Sequence, residues 1–154
     1  MTTIFLTDVF ENPDKYVEGI KQKGFTDFKS GENVFKNVQE LERDDVVKDI
    51  ESLLGANLVL SFARMSPLGQ KEPNFIHKDD MHGDYTAILY LNKLYPSGYG
   101  TTLYDENDDE ILICKAKYNS LFIFPSSVKH SRNTLQNFGE GGDARLVQVM
   151  FFKI

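Results

Sequence analysis

Cysteine is almost missing from this chain. Cys114 stands alone, which excludes an intrachain disulfide framework and makes a reducing cytoplasmic interior the expected compartment. Positive charge is also scarce: 17 Lys and Arg face 23 Asp and Glu, for a formal net charge of −6. A protein whose main task is gripping phosphate backbones needs clustered cations, so nucleic acid is not an expected partner. No apolar run approaches the roughly 20 residues of a membrane-crossing helix. The opening "MTTIFLTDVF" lacks the basic start and long apolar core of a signal peptide. No repeat, low-complexity tract or linker divides the chain. What is plentiful is apolar and aromatic: 41% of 154 residues are hydrophobic, with 12 Phe and 7 Tyr. That is enough for one packed core, so residues 1–154 are expected to form a single domain.

The pattern along the chain changes near residue 58. Before it, "ENPDKYVEGIKQKGF" offers Asn12 as N-cap, Pro13 at the first helical position, a stripe of Tyr16, Val17 and Ile20, and Gly24 as the stop. "RDDVVKDIESLLG" repeats this grammar. Asp44 or Asp45 opens it, Val46, Val47, Ile50, Leu53 and Leu54 make the stripe, and Gly55 ends it. Short strands are expected at 4–6 and 33–38. From 58 onward "LVLSFAR", "YTAILYL", "TTLYD", "EILICKA", "SLFIFP" and "ARLVQVMFFKI" are short, rich in β-branched and aromatic residues, and separated by Gly, Pro, Asn or Asp. Several are apolar on both faces and so must be covered on both sides. The expected fold is mostly β (α+β), a double-sheet jelly roll: a helical N-terminal support over 1–57 and a β core over 58–154.

One stretch concentrates polar chemistry at the lip of a buried strand: "NFIHKDDMHGDYTAILYLN", residues 74–92. His77 and Asp79 are one residue apart, so on an extended segment both side chains leave the same face. His130 follows the apolar strand "SLFIF", in "FPSSVKHSRN". Two imidazoles and one carboxylate at strand ends have the composition of a facial triad for non-haem Fe(II), with positions left open for other ligands. Arg145 opens the last strand, where alternation sets it on one face with Val147, Val149 and Phe151. An arginine on an apolar face is costly to bury without an anion, and its fork fits a carboxylate. The same alternation places Tyr90 with Thr86 and Ile88, from where its hydroxyl would assist Arg145 at the same carboxylate.

The order H-x-D, "TAILYLN", "SGYGTTLYD", "SLFIFPSSVKHS", "ARLVQVMFF" resembles the Fe(II)/2-oxoglutarate-dependent oxygenase superfamily, in the style of its compact prolyl-hydroxylase-like members. The resemblance spans residues 58–154 and implies a double-stranded β-helix. It also implies that His77, Asp79 and His130 bind Fe(II), and that Arg145 with Tyr90 holds the distal carboxylate of 2-oxoglutarate. The implied reaction consumes 2-oxoglutarate and O2, releases succinate and CO2, and hydroxylates a substrate C–H bond. The chain departs from the pattern at "GYG", where Tyr99 is inserted between Gly98 and Gly100. It departs again in the long interval from His130 to Arg145, where "NFGEGGD" reads as a flexible hairpin loop.

Plainer roles are expected for the neighbours. His82, Asp80 and Asp84 read as a polar surface turn around Gly83, with Asp80 the competitor to Asp79 as ligand although alternation favours the residue two after His77; "DENDDE" reads as a solvated hairpin turn, and Cys114 as an inert buried thiol. Arg132, in "HSRN", competes with Arg145 for the co-substrate but is expected to face solvent or substrate, and Arg64 to cap a strand or reach the site's mouth. Substrate identity is open between an amino-acid side chain, in a peptide or free, and a small metabolite. Lys71, Lys78, Lys93 and Lys129 lie near the site in sequence and would suit an acidic one. The alternatives are a non-catalytic jelly-roll binding module and a metal-dependent cupin-like enzyme without 2-oxoglutarate.

Overall fold

The two helices begin and end where side-chain chemistry dictates. In the computed structural model, which describes residues 2–133 and 136–154, Asn12 caps α1 (Pro13–Lys23) by accepting a hydrogen bond from the Lys15 N–H. Asp44 does the same for Val47 at the start of α2 (Asp45–Leu54), and Gly55 closes that helix in the left-handed conformation. Such caps satisfy backbone donors that the first turn leaves free.

The β elements are β1 (Ile4–Leu6), β2 (Thr26–Ser30), β3 (Asn33–Glu40), β4 (Asn57–Ser66), β5 (Tyr85–Tyr90), β6 (Gly100–Tyr104), β7 (Glu110–Lys115), β8 (Ser120–Pro125), β9 (Lys129–Arg132) and β10 (Arg145–Lys153). They pair antiparallel into a larger sheet, β1-β8-β5-β10-β4-β3-β2, and a smaller one, β7-β6-β9. The result is the expected jelly roll with flanking helices. No described helix is long and apolar enough to cross a membrane.

Register explains why the central strands are apolar on both sides. Directly paired residues share a face. One face of the larger sheet carries Ala87, Leu89, Leu121, Ile123, Leu146, Met150 and Phe152, packed with Val17 and Ile20 of α1 and Val47 and Ile50 of α2. The other carries Tyr90, Phe122, Phe124 and Val147, and meets Leu103 and Cys114 of the smaller sheet. Gln148, 2% exposed, turns its polar group to the helical side, where it donates to Ser61 Oγ at 2.9 Å and accepts from Tyr16 Oη. That bond ties α1 to β10.

Three expectations need correction. Residues before 58 supply β1, β2 and β3 as well as both helices, so a helical support joined to a separate β core does not describe the sheets. β2, fully exposed, and β9 carry too few alternating apolar residues to be read as strands, yet both are held by backbone ladders. The stretch "NFGEGGD" is not a free hairpin tip: Asn137 is 3% exposed, and the segment folds into a 3-10 turn over Gly141–Asp143. By contrast, Gly100 in "GYG" has a clear physical reason. Its φ is +151°, and a Cβ there would stand 2.0 Å from the Cys114 carbonyl oxygen, so only glycine lets β6 approach β7 so closely.

Phe152 has no exposed surface on the helical side of β10. Phe152→Ala is expected to lower the free energy of unfolding by about 3–5 kcal/mol through lost burial and a residual cavity. Chemical denaturation measures this, and a loss below about 1 kcal/mol would contradict the packing described.

Candidate active site

The residues between β4 and β5 cross one end of the space between the sheets and are pinned there by backbone bonds. His77 forms an isolated antiparallel bridge with His130, donating to its carbonyl at 3.0 Å and accepting from its N–H at 2.9 Å. Asp79 N–H donates to the Ser126 carbonyl at 2.9 Å, in the turn after β8. These bonds bring His77, Asp79 and His130 together, with one ligand-type atom from each within 4.8 Å of the others. His130 lies within β9 rather than beyond a strand end, is 5% exposed, and meets the Phe124 ring at 4.7 Å.

The imidazoles are already oriented. His77 Nδ1 lies 2.8 Å from the Phe75 carbonyl oxygen and His130 Nδ1 lies 3.1 Å from that of Val128. A carbonyl only accepts, so both Nδ1 atoms carry the proton and both Nε2 atoms face Asp79, at 3.6 and 2.9 Å. Two Nε2 atoms and a carboxylate converging on one point suit a divalent cation with imidazole and carboxylate preferences, which would take the place of the proton that His130 Nε2 donates to Asp79. Burial pushes the Asp79 carboxyl up, but the His130 hydrogen bond and the neighbouring imidazoles outweigh it, leaving it below its ordinary value. The competitors stay outside: Asp80 is exposed, His82 is exposed and stacks on Phe151, and Asp84 accepts from the Ile154 N–H.

At the other end of the same interior lies Arg145. It opposes Ser66 on β4, while its face-mate Val147 opposes both Tyr90 on β5 and Arg64 on β4. Burial is the main cause holding the Arg145 pKa below its ordinary value, followed by repulsion from Arg132. Among the described residues its guanidinium has no hydrogen bond or ion pair. Tyr90, 3% exposed, shares its hydroxyl with Thr101 Oγ1 at 2.8 Å, and burial raises its pKa well above the usual phenol. Asn92 sets the start of β10: it donates to the Ala144 carbonyl at 2.9 Å and accepts from Leu146 N–H at 2.7 Å, fixing the residue between them. Cys114 packs beside Tyr90, its thiol pushed up to about 11 by burial.

Arg132 and Arg64 depart from expectation. Both are inward, with side chains 13% and 20% exposed, and both bind Glu72, at 2.8 and 2.7 Å. Glu72 is 3% exposed and also accepts from Asn137, Ser66 and Gln70 at 3.0 to 3.1 Å. Burial pushes its carboxyl up, but Arg64, Asn137, Gln70 and Arg132 outweigh burial and hold it below its ordinary value. Neither Glu72 nor Asn137 was legible as part of a site. The available signal was indirect: arginines on apolar strand faces imply a buried acid. Lys78, Lys93 and Lys129 do not serve the site, being engaged by Glu106, Asp14 and Asp108.

No protein-family model matches the sequence, and no curated protein matches it. Solved structures do. A prolyl-4-hydroxylase from Pseudomonas putida superposes with TM-score 0.69 at 13% identity, covering 99% of this chain and 92% of that one. This chain has the fold of the 2-oxoglutarate-dependent Fe(II) oxygenases. The epimerase SnoN, in complex with Fe3+, alpha-ketoglutarate and nogalamycin RO, matches with TM-score 0.65 at 11% identity, over 97% of this chain and 78% of that one. A prolyl hydroxylase from Trichoplax adhaerens, bound to a hypoxia-inducible-factor peptide fragment, matches with TM-score 0.64 at 13% identity, over 97% and 82%.

Glu72→Gln leaves Arg64 and Arg132 without their carboxylate and is expected to cost about 3–5 kcal/mol at neutral pH. Because folding lowers the Glu72 pKa, its contribution is full above the ordinary 4.5 and disappears as pH falls through the depressed value. The variant should therefore lose less stability on acidification than the wild type. Urea unfolding at a series of pH values reads this directly, and parallel curves would remove Glu72 from its central place.

Proposed function

We propose that this protein is an Fe(II)- and 2-oxoglutarate-dependent oxygenase that hydroxylates an amino-acid side chain or a small metabolite. One observation carries the reading. A triad of His77, Asp79 and His130 and a half-buried Arg145, without a hydrogen bond or ion pair among the described residues, occupy opposite ends of one interior, as a keto-diacid reaching from a metal to a cation requires. The fold shared with iron- and ketoglutarate-bound SnoN supports it.

His77, Asp79 and His130 would hold the iron through two Nε2 atoms and a carboxylate oxygen, and Phe75 and Val128 carbonyls keep both rings turned that way. Arg145 binds the distal carboxylate of 2-oxoglutarate, and the Tyr90 hydroxyl assists it. Phe122, Phe124, Ile88 and Val149 line the interior between, excluding water. The bound iron and keto acid supply the oxidising power: 2-oxoglutarate and O2 yield succinate and CO2 while one oxygen atom enters the substrate C–H bond. Beside the triad, Phe75, Ile76 and Met81 are 60%, 37% and 80% exposed, an apolar surface that suits a peptide side chain entering from solvent. The peptide-bound Trichoplax enzyme supports that substrate class. A lone thiol with no disulfide partner suits a reducing compartment such as the cytoplasm.

Anaerobic loading with Fe(II), followed by calorimetric titration with 2-oxoglutarate and an O2-dependent succinate assay, tests this. The wild type should bind and turn over the keto acid slowly even without substrate. His77→Ala should abolish succinate formation, and Arg145→Met should weaken 2-oxoglutarate binding by about 10- to 100-fold. Binding indifferent to both substitutions would refute the reading, and binding without succinate would favour a non-catalytic jelly-roll module.

A further inference from the structure

We propose that β7 is the edge along which two copies of this chain pair, antiparallel, into a dimer. β7 is the outer strand of the smaller sheet, separated from β9 by β6. Its sequence "EILICK" holds three consecutive large aliphatic residues in solvent: Ile111, Leu112 and Ile113 are 48%, 37% and 54% exposed. Successive side chains on a strand leave opposite faces. Leu112 opposes the buried Leu103 and points between the sheets, whereas Ile113 opposes Thr102 and points outward. What lies open is therefore the edge itself, with apolar surface on both faces. A helix or loop laid on one face would leave the other wet, but a strand added to the edge covers both.

The backbone is set for that addition. Ala116 N–H donates to the Tyr99 carbonyl at 2.9 Å, and Cys114 and Leu112 oppose Thr101 and Leu103. Residues 112, 114 and 116 thus direct their backbone groups to β6, while Ile113 and Lys115 direct theirs outward. The outer strands of the larger sheet fit worse: β1 is three residues long, and β2 carries Asp27 and Lys29 in its middle. The charges of β7 select its partner. Glu110 and Lys115 stand at its two ends, both exposed, and neither has an ion pair among the described residues. The bulge after Leu103 sets Glu110 opposite Tyr104, on the same outer face as Lys115, which opposes Gly100. A second β7 running the opposite way brings Glu110 to Lys115 at both ends, whereas a parallel copy would set like charges together. About a two-fold axis at Leu112, Ile111 meets Ile113 of the second copy on the outer face, and Leu112 meets its counterpart on the inner one. The smaller sheets then merge into one of six strands, β9-β6-β7-β7-β6-β9. His77 bridges to β9 at the far side of this sheet, so the dimer leaves the triad open.

The contact is one strand wide, below the roughly 1,200–2,000 Å² of a permanent interface, so the dimer dissociates on dilution. Sedimentation equilibrium from about 5 to 500 µM follows it. The mass should climb from 17.6 kDa toward twice that value as concentration rises. Ile113→Lys, at an exposed position, is expected to weaken association by about tenfold or more. Glu110→Lys and Lys115→Glu each place like charges together and should weaken it by about 3- to 10-fold. The double variant that exchanges the two charges should return to within about twofold of the wild type. Hydrogen exchange locates the contact, because the Ile113 and Lys115 amides should exchange more slowly at the upper concentration than at the lower. A mass of 17.6 kDa throughout overturns the proposal. So does a dimer indifferent to both single charge variants, or one that leaves those two amides exchanging at a constant rate. The dimer is independent of the oxygenase reading, and neither result bears on the other.

Discussion

A cation buried between two β-sheets must be answered by an anion, and much of this molecule is arranged around that demand. Three arginines from three strands, Arg64 on β4, Arg132 on β9 and Arg145 on β10, turn into the same interior, where Glu72 is the carboxylate that meets two of them. The acid comes from the irregular segment between β4 and β5, and Gln70, Ser66 and Asn137 complete its shell. A network this dry is stable only when each member has its partner. The open valence at Arg145 therefore carries meaning that an exposed arginine's would not.

The same segment does a second job five residues later. Having delivered Glu72 to the cationic end, it runs along β9 through the His77–His130 bridge and places Asp79 between two imidazoles. Metal-type ligands and cations are thus set apart along one interior, joined by the rings of Phe122 and Phe124. Strands on both sides, with helices packed on the far face of the larger sheet, set those ends apart. A ligand bridging them needs one reactive end and one anionic end.

The similar solved structures share the fold at 10 to 13% identity. That is physically unsurprising for a β-sandwich. Its core asks for alternation and about the right volume rather than for particular residues, so very different sequences fit one sheet order. The special demands are local: glycine where β6 meets the Cys114 carbonyl, asparagine where Leu146 and Ala144 need both a donor and an acceptor.

Periodicity and punctuation by themselves determined both helices with their caps, most of the strands, and the two-sided burial that demands a sandwich, because these depend on neighbours a few residues apart. Spacing alone also marked His77 with Asp79 and set Arg145 on its face, since alternation acts within one strand. Only tertiary structure decided what required distant partners. β2 and β9 exist because backbone ladders supply what their own side chains do not. Arg132 turned inward, Glu72 became the hub of the cationic end, and His130 met Asp79, because strand pairing closed loops of tens of residues. Which charges neutralise one another is a property of that closure, and it is absent from any local stretch of the chain.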